Sequence, residues 1–224
     1  MAVTTTCAAA YNPAINPTDF TTAQGRPNRI GNPYLPLPPG TTWTYRGEED
    51  NDPEVDVVSV THQTKAILGV TTTVVQDTVS IDGTLAEATS DWYAQDDRGA
   101  VWYFGEDSKE YDSHGHVTSA AGSWQAGVKG AKPGVVMEAR PAVGDTYRQE
   151  FAKGEAEDMA TVLSLSERVT VPVGSFANVV ETKDFSCIES EQEHKFFAPG
   201  VGMIRSEIVK AGNERLLLAS VKRS

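Results

Sequence analysis

The chain has 224 residues, and its 31 acidic and 19 basic side chains give a formal net charge of −12. This charge repels nucleic-acid phosphates and anionic lipid headgroups over a Debye length of about 8–10 Å, so nucleic acid is not an expected partner. The hydrophobic content of 39% is typical of a globular chain. No uncharged run is suited to spanning a membrane and no linker divides the chain, so we expect a single body with no membrane span.

Residues 1–40 are predicted to form a proline-rich arm. Its prolines interrupt nearly every candidate helix or strand within a few residues. The arm also carries apolar side chains at intervals that suit an extended chain lying on a folded body: Ile15, Phe20, Ile30, Tyr34, Leu35 and Leu37. We therefore favour an arm packed on the body over a flexible tail.

From Thr41 to the end of the chain, the pattern predicts an antiparallel β-domain, residues 41–224. Period-two alternation begins at Trp43 and Tyr45, and strand signals follow one another without helical punctuation. The acidic run 48–53 fits a solvated hairpin tip better than a calcium loop, because the spacing of an EF-hand is missing. The fold class is all-β, a single curved antiparallel sheet or incomplete β-barrel of roughly eight to eleven strands.

The clearest local prediction is a hairpin over residues 91–104. Asp97, Arg98 and Gly99 suit a turn whose last residue takes the left-handed conformation. Cross-strand aromatic pairs would then stabilise the hairpin. A slip of one residue decides whether Tyr93 faces Trp102 or Tyr103, and the sequence leaves both open.

Later segments are less regular. Residues 122–134, rich in glycine, are predicted to form a long loop across one end of the sheet. Residues 146–151 and 155–165 are each predicted to be strands, although the first half of the second segment has helix-forming residues. The segment 214–221 is expected to close the sheet.

Residues 169–208 are predicted to form three successive strands and carry the motifs VPVGSF (171–176) and FFAPGVGMI (196–204). This pair of motifs resembles the pattern of LolA-like and DUF3108-like bacterial proteins. Those proteins are secreted or lipid-anchored, and they are curved antiparallel sheets of largely uncharacterised function. The resemblance implies an exported protein that is periplasmic or secreted.

Export of the protein would explain both the start of the chain and its two cysteines. Residues 1–4 lack the basic start and apolar core of a signal peptide, so we expect that a signal segment has been removed. In an oxidising compartment Cys7 and Cys187 are a natural disulfide pair. The alternatives are two unpaired thiols, or a lipid attached to Cys7.

Few residues suggest catalysis. The sequence has no nucleophile elbow, phosphate loop, dinucleotide fingerprint or HExxH motif. Of the four histidines, His62, His114, His116 and His194, the pair His114 and His116 fits an exposed turn better than a metal site. We expect no metal and no cofactor.

His194 begins a strand of the meander. If it points to the concave face, Glu150 and Asp158 from adjacent predicted strands could orient it for general acid–base chemistry. The competing interpretation is a structural hydrogen bond.

Three classes of function follow. The favoured one is binding of an apolar or amphipathic small molecule, with a cavity lined by Trp92, Tyr93, Trp102, Tyr103 and Lys195. The second is a cofactor-independent lyase, isomerase or hydrolase using His194 with Glu150 or Asp158. The third is a structural or interaction module with a filled interior. The sequence does not indicate the oligomeric state.

Overall fold

The computed structural model describes Cys7 and residues 9–224, in which one short 3-10 helix and fifteen strands are present. The helix is Pro17–Phe20. The strands are β1 Thr41–Glu49, β2 Asp52–Ile67, β3 Val70–Ile81, β4 Thr84–Gln95, β5 Val101–Tyr111, β6 Val117–Ser119, β7 Trp124–Gln125, β8 Lys132–Met137, β9 Thr146–Arg148, β10 Glu150–Phe151, β11 Asp158–Val171, β12 Gly174–Ser186, β13 Gln192–Ala198, β14 Gly202–Lys210 and β15 Glu214–Arg223.

The strands form one antiparallel sheet that curls into a nearly closed barrel, as predicted. Its order is β10-β8-β5-β4-β3-β2-β1-β15-β14-β13-β12-β11-β9, with β6 and β7 beside β5. Two continuous meanders, β1–β5 and β11–β15, make up most of the wall. They meet where β1 pairs with β15, from Thr41 opposite Arg223 to Glu49 opposite Glu214.

Tight turns fix the register of the first meander. The β1–β2, β2–β3 and β3–β4 connections are two-residue turns whose central residues all have positive φ: Asp50-Asn51, Leu68-Gly69 and Asp82-Gly83. Such turns have the twist that matches antiparallel strands. They set which residues of each long strand point into the barrel.

The second seam of the barrel lies at β9 and β10. Arg148 of β9 pairs with Met159 of β11, whereas Glu150 of β10 pairs with Pro133 of β8, so the chain passes from one sheet edge to the other across Gln149. Gly134 permits this approach, because a Cβ at that position would stand 2.3 Å from the carbonyl carbon and oxygen of Gln149.

The residues before β1 lie against the wall. Phe20, Ile30 and Leu37 are buried. The side-chain amide of Asn32 donates to the carbonyls of Gly99 and Glu138 at 2.9 and 3.0 Å. These contacts place the segment across one end of the barrel.

The predicted aromatic hairpin is present. β4 ends at Gln95 and β5 begins at Val101, and Gly99 has a φ of 100°. Tyr93 lies opposite Tyr103, and their rings stack at a centroid distance of 4.8 Å. Of the two registers that the sequence leaves open, the structure has the one in which Tyr93 faces Tyr103.

The predicted disulfide is also present. Cys7 and Cys187 are bonded, with their Cα atoms 5.6 Å apart and a sequence separation of 180. The bond joins Cys7 to the residue that directly follows β12.

Five details depart from the sequence predictions. The third strand predicted within residues 169–208 is two strands, β13 and β14, which pair antiparallel on either side of the turn at Pro199-Gly200. The predicted strand 146–151 is divided into β9 and β10. The strands number fifteen, because four short ones of two or three residues, β6, β7, β9 and β10, add to the long ones. The segment 122–134 is not wholly a loop, since it contains β7 and the start of β8. In the segment 155–165, strand structure begins only at Asp158, after a turn.

Candidate functional site

The barrel is hollow. Its interior has a cavity of about 340 Å³ that is partly open to solvent, near the lower end of the range of about 300–1,000 Å³ that is usual for small-molecule sites. Its walls come from β1–β4, β8 and β12–β15, and Leu35, Pro36 and Leu37 line it from the segment before β1. The interior is therefore not completely filled, whereas we would expect a structural module to have a filled interior.

Polar and apolar residues occupy opposite ends of this cavity. On five strands an ionisable lining residue has an apolar or aromatic lining residue two positions away: Asp56 and Val58, Asp77 and Val75, Asp91 and Tyr93, Lys195 and Phe197, Glu214 and Leu216. Asp77 also has Val79 two positions away on its other side. Because residues two apart share a face and neighbouring strands run in opposite directions, all five steps lead toward the same end of the barrel. The cavity is therefore amphipathic along its axis.

The apolar end is the one beside Leu35–Leu37. Trp43 contributes its ring there, whereas Tyr45 lies opposite Asp56 and borders the acids. Each of the two rings donates a hydrogen bond to a backbone carbonyl at the start of β14. Trp43 Nε1 lies 2.9 Å from the oxygen of Val201, and the Tyr45 hydroxyl lies 3.0 Å from that of Met203. These bonds hold the rings and leave no polar atom of theirs needing a ligand.

The other end is crowded with acids. Seven carboxyl side chains and one lysine line the cavity: Glu54, Asp56, Asp77, Asp91, Asp184, Glu193, Glu214 and Lys195. They come from six different strands, which the barrel brings together.

Lys195 is already paired. Its Nζ lies 3.0 Å from Glu193 and 3.4 Å from Asp184. Burial by itself would lower the pKa of Lys195, but the charges of Glu193 and Asp184 outweigh it and hold the pKa above its usual value. This ammonium group therefore stays charged and is shared by two of the seven acids.

Glu54 and Asp56 have no such partner. They are 3% and 5% exposed, and Glu54 Oε2 and Asp56 Oδ1 accept no hydrogen bond from any described residue. Burial, followed by the charges of Glu49, Asp77 and Glu193, raises the pKa of Glu54 to about 7. Burial, together with its close neighbour Asp77, likewise raises the pKa of Asp56 well above its ordinary value.

Glu214 extends this unpaired group on β15. Burial raises its pKa to about 8, with further contributions from Glu54, Glu193 and Glu49. Among the described residues, no basic side chain forms an ion pair with Glu54, Asp56, Asp77 or Glu214.

Asp91 differs from them because it has a donor. The Tyr103 hydroxyl donates to its Oδ1 at 2.5 Å. Burial, then the charge of Asp77, raises the pKa of Asp91, and the bond from Tyr103 opposes that rise.

Of the five residues predicted to bind a ligand, two line this cavity, Tyr93 and Lys195. Tyr103 and Trp92 belong to a second apolar cluster, where the Lys65 ammonium lies 3.2 Å from the centre of the Trp92 ring. Trp102 lines a separate cavity of about 360 Å³ beside Tyr11, and its Nε1 donates to Asp96.

The predicted catalytic residues do not gather around the cavity inside the barrel. The residues on either side of His194, Glu193 and Lys195, line it, so alternation turns His194 to the opposite face. His194 Nδ1 lies 2.8 Å from Glu181 Oε1. The histidine thus has the carboxylate partner that the sequence suggested, but that partner is Glu181.

Glu150 and Asp158 lie close to each other, but neither is the carboxylate that contacts His194. Glu150 accepts a hydrogen bond from Trp124 Nε1 at 2.7 Å. Burial, followed by the charge of Asp158, raises the pKa of Glu150. The bond from Trp124 gives Glu150 a structural role, and we base no function on this pair.

Metal ligation finds no support at the histidines. His114 and His116 lie in an exposed turn, with His116 Nδ1 3.3 Å from Asp112. Across Cys7 and residues 9–224, no group of three or more His, Cys, Asp or Glu side chains is arranged to hold a metal ion. None of the helical structure in this part of the chain is long and apolar enough to cross a membrane.

Sequence reasoning missed the acidic residues of the cavity. Their signal was present in β2, where Glu54 and Asp56 alternate with Val55 and Val57. The natural interpretation turns the valines inward and the acids to solvent, and the structure has the reverse for this stretch. Which side chains of β2 point into the barrel is decided only by the position of the turn at Asp50-Asn51 relative to the closed barrel.

The fold and cavity together define a class: a nearly closed antiparallel barrel with an amphipathic interior. No protein-family model matches the chain, and no curated protein matches it. Among solved structures, it is similar to a candidate exported protein with a YmcC-like fold from Bacteroides fragilis. The TM-score is 0.51 and the identity 16%, covering 85% of this chain and 99% of that one.

A second solved structure, a candidate lipoprotein from Parabacteroides distasonis, aligns with a TM-score of 0.46 and 12% identity over 84% of this chain and 98% of that one. That likeness is too weak to support an argument. The specific resemblance to LolA-like and DUF3108-like proteins stays a prediction.

Proposed function

We propose that this protein is exported and binds an amphipathic small molecule inside its barrel. The observation that carries the proposal is the cavity of about 340 Å³ whose apolar and ionisable lining residues are segregated along the axis. A ligand with an apolar part and a polar part would match both ends, and burial of its apolar part would drive binding at about 25 cal/mol per Å².

Two observations support export to the periplasm or the exterior. The disulfide between Cys7 and Cys187 is of the kind that persists in oxidising compartments. The similar structure from Bacteroides fragilis is described as an exported protein.

The test uses a matched pair of variants on β2. Val58 lines the cavity and Val57, its neighbour, does not. Val58→Phe fills part of the cavity, whereas Val57→Phe adds the same ring on the opposite face. The readout is the fluorescence of N-phenyl-1-naphthylamine, a neutral probe that brightens in apolar surroundings, titrated into each protein.

We expect saturable binding to the unmodified protein and to Val57→Phe, and binding weakened by about tenfold or more in Val58→Phe. Melting temperatures measured in parallel show whether each variant is folded. Absence of saturable binding to the unmodified protein, or equal binding to both folded variants, would refute the proposed function.

A further inference from the structure

The acidic end of the cavity has one cation, Lys195, for seven carboxyl groups. Of its seven carboxyl groups, Glu193 and Asp184 share Lys195, and Asp91 accepts from Tyr103. The remaining four, Glu54, Asp56, Asp77 and Glu214, come from the strands β2, β3 and β15, and none of them forms an ion pair with a basic side chain among the described residues.

The unpaired oxygens point to a ligand rather than to a structural role. Glu54 and Asp56 are more than nine-tenths buried, they line the cavity, and each has an oxygen with no hydrogen-bond donor among the described residues. Buried polar groups in folded proteins nearly always have a partner. A ligand that enters the cavity is in a position to supply the donors that the protein does not.

The chemistry of these acceptors selects the donor. A carboxylate accepts hydrogen bonds and attracts positive charge, and an alkylammonium group offers up to three N–H donors and one positive charge. An anionic headgroup would add to the existing repulsion. A metal ion is disfavoured, because no group of ligands among Cys7 and residues 9–224 has the required arrangement.

The rest of the cavity selects what the ammonium group is attached to. Two residues beyond Asp56 on the same face lies Val58, and beyond Asp77 lies Val75, so an apolar surface begins about 6–7 Å from the acids. A short chain or ring attached to the ammonium nitrogen would lie against this surface and reach toward Leu35–Leu37.

We infer that the ligand is an amphipathic amine, whose ammonium group binds between Glu54, Asp56 and Asp77 and whose apolar part lies against Val58, Val75 and Phe197. This inference rests on the proposed function and specifies its ligand class. Burial and the neighbouring acids raise the pKa of Glu54 to about 7, so at pH 8 most of this carboxyl group is ionised and able to accept from an ammonium group.

The experiment compares three compounds that share one chain and differ in headgroup: octylamine, 1-octanol and octanoate. Each is titrated into the protein by calorimetry at pH 8, where an alkylammonium group of pKa about 10.4 remains protonated. We expect octylamine to bind about tenfold more tightly than 1-octanol, the difference that one charge-assisted hydrogen bond makes, and octanoate to bind most weakly.

The variants separate the site from general charge. Asp56→Asn removes a cavity acid, and Asp52→Asn removes an exposed acid four positions earlier on the same strand. The octylamine preference should fall severalfold in Asp56→Asn and stay unchanged in Asp52→Asn. Glu54→Gln provides a second cavity variant if Asp56→Asn does not fold.

The outcomes are distinguishable. If 1-octanol binds as tightly as octylamine, or if the preference survives in both cavity variants, the amine inference is overturned and the cavity function stands. If none of the three compounds binds and N-phenyl-1-naphthylamine also fails to bind, both proposals fall.

Discussion

Glu54 illustrates how a single residue can be costly to the fold and useful to a site. Its carboxyl group is 3% exposed, and its Oε2 has no donor among the described residues. Removing an ionised group from water without a partner is unfavourable, and the rise of its pKa to about 7 is the expression of that cost. Residues of this kind are retained at functional sites at the expense of stability.

Replacing Glu54 by glutamine should therefore stabilise the ligand-free protein. Glutamine keeps the shape of the side chain and removes the charge, so at pH 8 we expect the melting temperature to rise by about 2–4 °C, the change that 1 kcal/mol makes in a domain of this size. Glu48→Gln, at an exposed position on β1, should leave the melting temperature unchanged. A lower melting temperature for Glu54→Gln would mean that the carboxylate has a stabilising partner.

Residue identities in the site could be predicted only in part. Tyr93 and Lys195 line the barrel cavity, whereas Trp92, Trp102 and Tyr103, which the sequence selects equally, do not. The acids were missed because both faces of β2 carry valine, and nothing local says which face is inward. The phase of β13 misled the sequence analysis in the opposite sense, since it is Lys195 and not His194 that faces the cavity.

At the scale of elements, closure of the barrel depends on the short strands β9 and β10. Each pairs with a different edge of the sheet, and Gln149 between them lines the cavity and donates to Asp184 at 3.1 Å. The sequence predicts one strand over residues 146–151. It cannot show that this strand is divided between two partners, because the division arises from the two edges meeting in space.

The Gly134→Ala variant tests whether the second seam, at β9 and β10, requires the close approach of β8 to Gln149. The added methyl group would stand 2.3 Å from backbone atoms of Gln149, which cannot move aside as a side chain could. We expect a loss of about 1–3 kcal/mol in the free energy of unfolding, measured with urea. Gly31→Ala is the matched control, because its added Cβ would have no contact closer than 4.0 Å. Equal stability of the two variants would mean that the seam does not require close approach.

For the whole molecule, buried acids set the dependence of stability on pH. Burial raises the pKa of Glu54 and Glu106 to about 7 and that of Glu214 to about 8, all above the ordinary value of 4.5. Between these values and 4.5 the folded state binds more protons than the unfolded state, so stability falls as pH rises. Below 4.5 both states are protonated and the gain is complete.

We therefore expect the free energy of unfolding to be larger at pH 6 than at pH 8, when both are measured with urea at constant ionic strength. A group of pKa about 7 contributes at most about 1.4 kcal/mol over this interval. The Glu54→Gln variant should show a smaller difference between the two pH values. Greater stability of the unmodified protein at pH 8 would contradict the assignment of these raised pKa values.

The overall fold was more predictable than the site. Period-two alternation and turn residues are local signals, so they predict the all-β class and the hairpin at Gly99. They also predict a meander after Val169, but not that its last strand folds back at Pro199-Gly200 into the separate strands β13 and β14. The Cys7–Cys187 bond followed from the cysteine count once export was inferred. The sequence does not predict which face of each strand points into the barrel, because that depends on contacts between residues far apart in the chain.

The pairing of β1 with β15 has a consequence for how the molecule folds. Hairpins within each meander join residues that are near in sequence, whereas Thr41 and Arg223 meet only after most of the chain is in place. Contacts of such long range form late, because the entropy of closing the intervening chain opposes them. We therefore expect the acids of the inner face to stay hydrated until β1 and β15 pair, so that the rate at which the barrel closes depends on the pH at which the protein folds.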